Sequence, residues 1–580
     1  MRTLALVGDD GSIDFTCWPR FDSPTIFAAL LDKEKGGRFL IAPADERLKG
    51  KQLYLPDTNV LLTRFQNAAS LTEVYDLMPV EDEQRIVRVA RCIRGPSRFV
   101  MRCAPRFDYA RMRHRAEKLS EKVVRFVPES GDPICLSASV PLKIEDGDAV
   151  CDIALDEGGH ASFVLETLHD GAKPLDLHDY AEICFKKTLD FWRGWSAQSR
   201  YRGRYREVVQ RSALVLKLLI SKEFGSVVAA GTFGLPETPG GERNWDYRFS
   251  WIRDAGFSLY ALMRLGYTEE AAGFIDWVGE RGREAGPDGK LQVMYAVDGT
   301  SDLQELTLGH FEGYDGAKPV RIGNAAHTQL QLDIFGALMD AMYLANKYGR
   351  PTSHSEWMGI TRTIDWLIAH WRDPDEGIWE FRGGRREFLN SRLMCWVAVD
   401  RAMRLAHKRS LPAPFVEWGK ARSEIYRDIH DNYWNEAGGY FIQHKTTEAV
   451  DASSLLMPLL KFISPIDPRW LRHLDAIGKH LAQDALVRRY DVDVASEVDA
   501  LAGVEGTFNC CSFWYVECLA RAKQVDKARL LFEKLLGYGS HLGLFSEQLG
   551  PGGEHLGNYP QALTHLALIS AAYALDRELA

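Results

Sequence analysis

The chain has 580 residues, 46% of them hydrophobic, with 71 Lys and Arg against 80 Asp and Glu for a net charge of −9. That length exceeds what one core fills and predicts a soluble protein of two or more domains. The mild acidic balance, with no long basic run, argues against nucleic acid and anionic membrane as partners and favours a neutral small molecule.

No window reaches the run of about 18 apolar residues that a membrane span needs. The start MRTLALVGDDGSIDF has no signal-peptide pattern, so a cytoplasmic protein is expected. Ten cysteines are scattered without Cys-x-x-Cys or Cys/His ligand spacing and read as reduced core thiols. Neither a metal nor another cofactor is expected, and the sequence sets no oligomeric state.

In chain order, LALVG, SIDFTCW, GRFLIAP, NVLLTRFQ, SLTEVYDL, RIVRVARCI, RFVMRCA, KVVRFV and ICLSASV alternate or run apolar between turn signals such as Asp9-Asp10-Gly11 and Gly131-Asp132-Pro133. They predict an N-terminal antiparallel β-sandwich over 1–175. A helical period follows, with Trp192 and Trp195 near one face, and predicts a linker helix within 176–203. From 204 to 580 the pattern is helical, in segments near 205–223, 251–266, 269–281, 324–348, 354–371, 390–408, 412–433, 452–463, 468–483, 508–524, 525–537 and 559–577. Twelve segments suggest six helical hairpins closed into a toroid, whose loops at one rim converge on a pocket.

DEGIWEFRGG, residues 375–384, lies in a loop between two long helical patterns. It sets Glu380 between Trp379 and a glycine cluster as a candidate proton donor; the alternative is a solvated turn. A second acid, Glu547, stands in the Gly/Pro-rich loop 543–562. In a closed ring the two loops face each other across the axis, and glycoside hydrolysis needs two facing carboxyls, one protonated and one ionised. The loop 231–256 places Arg253 and Asp254 beside aromatic residues, which suits a pyranose with vicinal hydroxyls and an apolar face, or equally a structural ion pair. The loop 310–326 supplies Glu312, Tyr314, Arg321 and Asn324. Glu505 stands just before a predicted helix, where an anion also suits the helix dipole.

NWDYRFSWIRDAGFSLYALMRLGY, PVRIGNAAHTQLQLDIFG, EGIWEFRGG, EGTFNCCSFWYVECLA and LGNYPQALTHLALI resemble glycoside hydrolase family 15, which holds glucoamylases, glucodextranases and bacterial trehalases. DGSIDFTCWPRFDSP resembles the opening of its bacterial members. The resemblance implies a β-sandwich, a linker helix and an (α/α)6 barrel. It implies Glu380 as general acid, Glu547 as general base, Arg253 and Asp254 as binders of the glucose hydroxyls, and Tyr247 near the developing oxocarbenium ion. Trp251, Trp379, Arg321 and Glu312 complete the expected sugar-binding set. Phe381 departs from those glucoamylases that carry a second Glu beside the acid, which bears on the leaving-group side of the pocket.

The implied reaction is a single displacement in which an α-glucoside gives β-glucose, with the carboxyls about 6.5–9.5 Å apart to admit a water. Apolar neighbours should raise the Glu380 pKa while polar ones surround Glu547. Trehalose and malto- or isomalto-oligosaccharides are the candidate substrates. A non-catalytic sugar-binding or regulatory toroid is the alternative, disfavoured by the presence of both acids.

Overall fold

The computed structural model describes residues 1–45, 48, 50–169, 174–177, 179–284, 291–348, 352–491 and 505–580. It divides into two units, Met1–Ser199 with Leu308–Gly316, and Arg200–Thr307 with Ala317–Ala580. No described helix is long and apolar enough to cross a membrane.

The first unit is built of two antiparallel sheets. One runs in the order 5–7, 12–17, 38–43, 97–104, 148–155 and 143–145, with 25–27 paired to 12–17; the other runs 114–120, 123–128, 134–138, 160–167, 85–94, 71–77, 61–66 and 50–54. Val123–Pro128 buries every second side chain, as a strand with one face on a core must. Phe39, Phe99 and Met101 of the first sheet share a core with Phe65, Val74, Phe126 and Phe163 of the second.

All nine expected strands form. Periodicity misses six others among the described residues of the first unit, including His160–Thr167, whose His, Ser, Glu and Thr disguise a strand that is nearly all buried. Its partners on both sides supply the burial that its own pattern does not announce. The ten cysteines are buried and free, as expected of core thiols.

The helices are α1 Tyr180–Ser196 in the first unit and, in the second, α2 Arg206–Leu218, α3 Ile252–Leu265, α4 Thr268–Glu284, α5 Asp333–Tyr348, α6 His354–His370, α7 Leu389–Arg409, α8 Phe415–Asn432, α9 Leu456–Leu459, α10 Pro468–His480, α11 Asn509–Arg521, α12 Val525–Leu536 and α13 Ala562–Leu579. Two of the twelve expected barrel segments are shorter than their periodicity. In 324–348 the Asn324 side chain accepts from Ala326 N–H at 3.0 Å and caps a 3-10 turn, Ala325–Thr328. The α-helix starts only at Asp333, because local side-chain bonding competes with helix continuation. In 452–463 a 3-10 turn capped by Asp451 leads into one α turn, α9.

Helices α7, α11 and α13 are buried on nearly every face, whereas α6 buries only Trp357, Ile360, Ile364 and Leu367 at helical spacing. The buried helices form a circuit: α3 packs on α5, α5 on α7, α7 and α11 on the 452–455 turn, α11 on α13, and α13 on α3.

Candidate active site

Glu380 is positioned by its loop's own backbone. Asp375 and Arg386 exchange backbone hydrogen bonds at 3.0 and 2.9 Å, closing the loop at its base. The Asp375 carboxylate is buried and accepts from Leu332 N–H at 2.9 Å and from the Ser391 hydroxyl at 2.7 Å; burial pushes its pKa up to about 7. Gly377 has φ +69 and its Cα packs so close to Phe388 that a Cβ would lie 2.7 Å from the ring. Glu380 itself has φ +59, a left-handed conformation that costs a non-Gly residue roughly 1–2 kcal/mol. The Phe381 ring, stacked on Phe388 at 5.2 Å and tilted against Tyr490 at 5.3 Å, anchors the chain immediately after it.

The start of α3 delivers the partners of this acid. Ser250–Trp251 pairs with Met294–Tyr295 in a short antiparallel ladder, and Trp251 then caps the helix. Its Nε1–H donates to Glu380 Oε1 at 2.6 Å, and Arg253 reaches the same oxygen at 3.4 Å. Arg253 also binds Asp254 at 3.0 Å and Gln331 at 2.9 Å, and lies 3.5 Å from Asp333. Burial raises the Asp254 pKa while Arg253 opposes the rise. Upstream, the buried Asp246 carboxylate accepts from Arg248 at 2.6 and 2.9 Å and from Gly323 N–H at 3.1 Å, which pins the segment carrying Tyr247.

Glu547 is held by a three-stranded ladder, Thr507–Phe508, Gln548–Leu549 and His555–Leu556. The residue is 1% exposed. The Tyr247 hydroxyl donates to its Oε1 at 2.7 Å, while its Oε2 has no hydrogen-bond partner among the described residues. Gly557, at φ +72, brings its backbone against that oxygen, where a Cβ would lie 2.4 Å away. Tyr247 and Trp251 meet edge to face at 5.4 Å, so an aromatic pair links the two acids: Glu547 to Tyr247, Tyr247 to Trp251, Trp251 to Glu380.

Behind Glu547 lies a buried charge network. Arg489 binds Glu505 at 2.6 and 2.7 Å and Glu237 at 3.2 Å; Arg243 binds Glu505 at 2.6 Å, and the Tyr490 hydroxyl donates to Glu505 at 2.8 Å. Trp245 Nε1–H donates to Glu237 at 2.9 Å. Burial first, then the charge of Glu237, pushes Glu547 well above the usual carboxylate range, against the Tyr247 hydrogen bond. This reverses the environment expected for Glu547, which has a buried carboxyl with one donor instead of a polar, solvated setting. Glu380 is the more polar site, flanked by the Trp251 N–H and Arg253.

One cleft of the second unit is lined by Glu380, Glu547, Tyr247, Trp251, Arg253, Asp254 and Trp379. Trp379 is fixed by donating Nε1–H to Asp451 at 2.9 Å. Arg321 is not among the lining residues. It packs over the Trp245 ring at 4.8 Å, pairs with Glu305 at 3.4 Å and donates to the Glu242 carbonyl at 2.6 Å, so it braces a wall residue. Glu312 is exposed and belongs to the first unit, where its N–H donates to Asp32 at 3.3 Å.

Glu505 is an ion-pair partner at the core of the charge network and so does more than mark a helix end. Glu237, Arg243, Trp245, Arg382 and Arg489 line the cleft and were not singled out from the sequence. Glu237 carries the signal that exposed Glu547, an acid in a Gly/Pro-rich loop; Arg489, in an Arg-Arg-Tyr run, carries none.

Residues 203–573 match the model of Glycosyl hydrolases family 15, and residues 1–179 match that of Trehalase-like, N-terminal. A trehalase of Mycobacterium tuberculosis is 37% identical over 609 residues, covering 99% of this chain and 88% of the relative. A trehalase of Thermoplasma acidophilum is 36% identical, covering 98% of each. Among solved structures, a bacterial glucoamylase complexed with acarbose superposes with a TM-score of 0.74 at 12% identity, covering 98% of this chain and 91% of that one, and shares its fold. Two acids on one cleft, the family match and near full-length relatives converge: the chain is a glycoside hydrolase and belongs to glycosyl hydrolase family 15.

Proposed function

We propose that the chain is an inverting, exo-acting α-glucoside hydrolase whose substrate is trehalose, with malto- and isomalto-oligosaccharides as lesser candidates. The trehalases that align along almost the whole chain support the choice of substrate. The closed circuit of buried helices supports an (α/α)6 barrel over 204–580, preceded by a β-sandwich over 1–175 and a linker helix within 176–203.

A single observation carries the mechanism: two carboxyls line one cleft, each oriented by an aromatic donor, with those aromatics in contact. Inversion needs one carboxyl to protonate the departing oxygen and the other to take a proton from water on the opposite face. Glu380 keeps 18% of its side chain exposed while Glu547 keeps 1%. The leaving group departs toward solvent, so the more open acid is the proton donor and the enclosed one holds the water. The Glu380 hydrogen bonds fall on Oε1, which leaves Oε2 for the glycosidic oxygen. Glu547 Oε2, which has no hydrogen-bond partner among the described residues, is the oxygen with acceptor capacity left for the water.

The raised Glu547 pKa has a direct kinetic meaning. A general base must be ionised, and it is stronger the higher its pKa, so the acid limb of the pH profile lies closer to neutrality than for an ordinary carboxylate. Arg253 and Asp254 bind sugar hydroxyls, and the Tyr247 ring faces the oxocarbenium ion. Arg321 acts through Trp245, over whose ring it packs.

Proton NMR during trehalose hydrolysis tests the reading. Inversion converts the attacked residue to β-glucose and releases the other as α-glucose, so both anomers arise in equal amounts before mutarotation. Early appearance of α-glucose alone would establish retention and overturn the mechanism. No glucose from trehalose, with rapid release from maltose, would overturn the substrate.

A further inference from the structure

A second cavity, of about 270 Å³, lies at the end of α3 away from the cleft. Helix α3 begins at the catalytic cleft with Trp251 and Asp254 and ends with Arg264 lining this cavity; Leu563, at the start of α13, borders both. The volume is close to the lower end of small-molecule sites, which span roughly 300–1,000 Å³. Its lining is divided by character. Met394, Leu459, Trp514 and Leu566 provide an apolar and aromatic surface, while Arg264, Lys347, Arg401, Arg404, Lys461 and Arg521 face only two lining carboxylates, Asp340 and Glu517.

Helix C-termini attract cations, and part of this set has that structural purpose. Arg401 is committed to Asp340 at 2.6 Å, Asp400 at 2.8 Å and the Leu460 carbonyl at 2.7 Å, and Arg521 to Glu517 at 2.6 Å. Arg404 and Lys461 are less committed. Asp400 alone serves three guanidiniums, of Arg401, Arg404 and Arg422, the last two at 2.7 and 3.2 Å. Arg404 is half exposed. The Lys461 side chain is exposed and its ammonium makes no hydrogen bond or ion pair with described residues, while partial desolvation and the charges of Arg401, Arg404 and Lys347 lower its pKa.

The backbone under Lys461 is a second, independent observation. After α9, Lys461 N–H bonds to the Pro458 carbonyl at 3.2 Å and Phe462 N–H to that of Met457 at 2.9 Å, with Lys461 at φ +66. This is the left-handed position that ends a helix and that glycine fills without strain. A long cation stands there against the local conformational preference, beside other cations and facing an open cavity.

We propose that this cavity binds a small phosphorylated ring compound, a sugar phosphate or a nucleotide, with Lys461 and Arg404 on the phosphate and the ring body over the Trp514 side. Lys461 and Arg404 are compact and forked donors for phosphate oxygens, and the apolar portion of the cavity suits the ring.

The test is isothermal titration of the full chain with glucose 6-phosphate and with ATP, using inorganic phosphate and glucose as controls. The same titrations are run on Lys461→Gly and Arg404→Gln. Lys461→Gly should keep the wild-type Tm, since glycine relieves the backbone, and Arg404 is exposed enough to lose its charge without unfolding the site. At least one phosphorylated probe should bind the wild type and bind each variant about tenfold more weakly, the factor that one charge-assisted hydrogen bond carries. Which probe binds names the source. A phosphorylated sugar seated in the catalytic cleft would bind wild type and variants alike. That result, failure of both probes to bind, or inorganic phosphate binding as tightly as either of them, would overturn the proposal.

Discussion

Replacing Tyr247 by Phe isolates the hydrogen bond to the proposed base, Glu547. Its hydroxyl makes the only hydrogen bond to the Glu547 carboxylate among the described residues, at 2.7 Å. The Phe ring can keep the edge-to-face contact with Trp251. A hydrogen bond to an ionised group contributes about 1.5–3 kcal/mol, equivalent to about 1–2 pH units of carboxylate ionisation. The sign follows from which form is stabilised. The Tyr247 O–H favours the carboxylate and so lowers a pKa that burial and Glu237 have raised; removing it raises that pKa further. The acid limb of kcat/KM for trehalose should therefore move to higher pH by about 1–2 units, and activity should recover in part above the new limb. A stopped assay of glucose release from about pH 4 to 9, with melting curves to show that both proteins stay folded, measures this. An unmoved limb with a uniform loss of rate would show that Glu547 is not the ionising base, and a shift to lower pH would refute the electrostatic argument.

Glu380→Gln should cut kcat by at least about 10²–10⁴ while leaving Tm close to wild type, because the amide preserves the shape but cannot donate the acid's proton; near-normal turnover would remove Glu380 from the mechanism. Asp375→Asn should alter the pH dependence of stability. The native state holds the Asp375 proton up to about pH 7, while the unfolded chain releases it near 3.8. Wild-type stability from this group is thus complete below the unfolded value and is lost as pH rises to the folded one, by an amount on the order of 4 kcal/mol. The Asn variant should lack that decline, so its Tm relative to wild type should climb between pH 4 and 8; parallel Tm profiles would show that the carboxyl is ionised in the fold.

The reach of the sequence can be judged from particular residues. Helical segments were legible because a 3.6-residue apolar period records one buried face, and ten of the twelve expected barrel segments match helices closely. The two acids were legible because Trp-Glu in a glycine-flanked loop and Ser-Glu-Gln in a Gly/Pro-rich one are local signatures of side chains placed by loops. Strand His160–Thr167 was not legible, since its burial comes from neighbours on either side. Nor was it legible that Arg321 braces Trp245 or that Glu312 belongs to the first unit, because a loop's sequence does not state what it packs on.

Residue types and their spacing determined the sheet-rich first part, the helical second part and the pair of candidate acids. Only tertiary structure decided how each acid behaves. Glu547 is raised by burial and by Glu237, which lies 310 positions earlier in the chain, and Glu380 is oriented by a Trp251 N–H from a different loop. Ionisation depends on desolvation and on charges a few ångströms away, and those distances exist only after the chain has closed on itself.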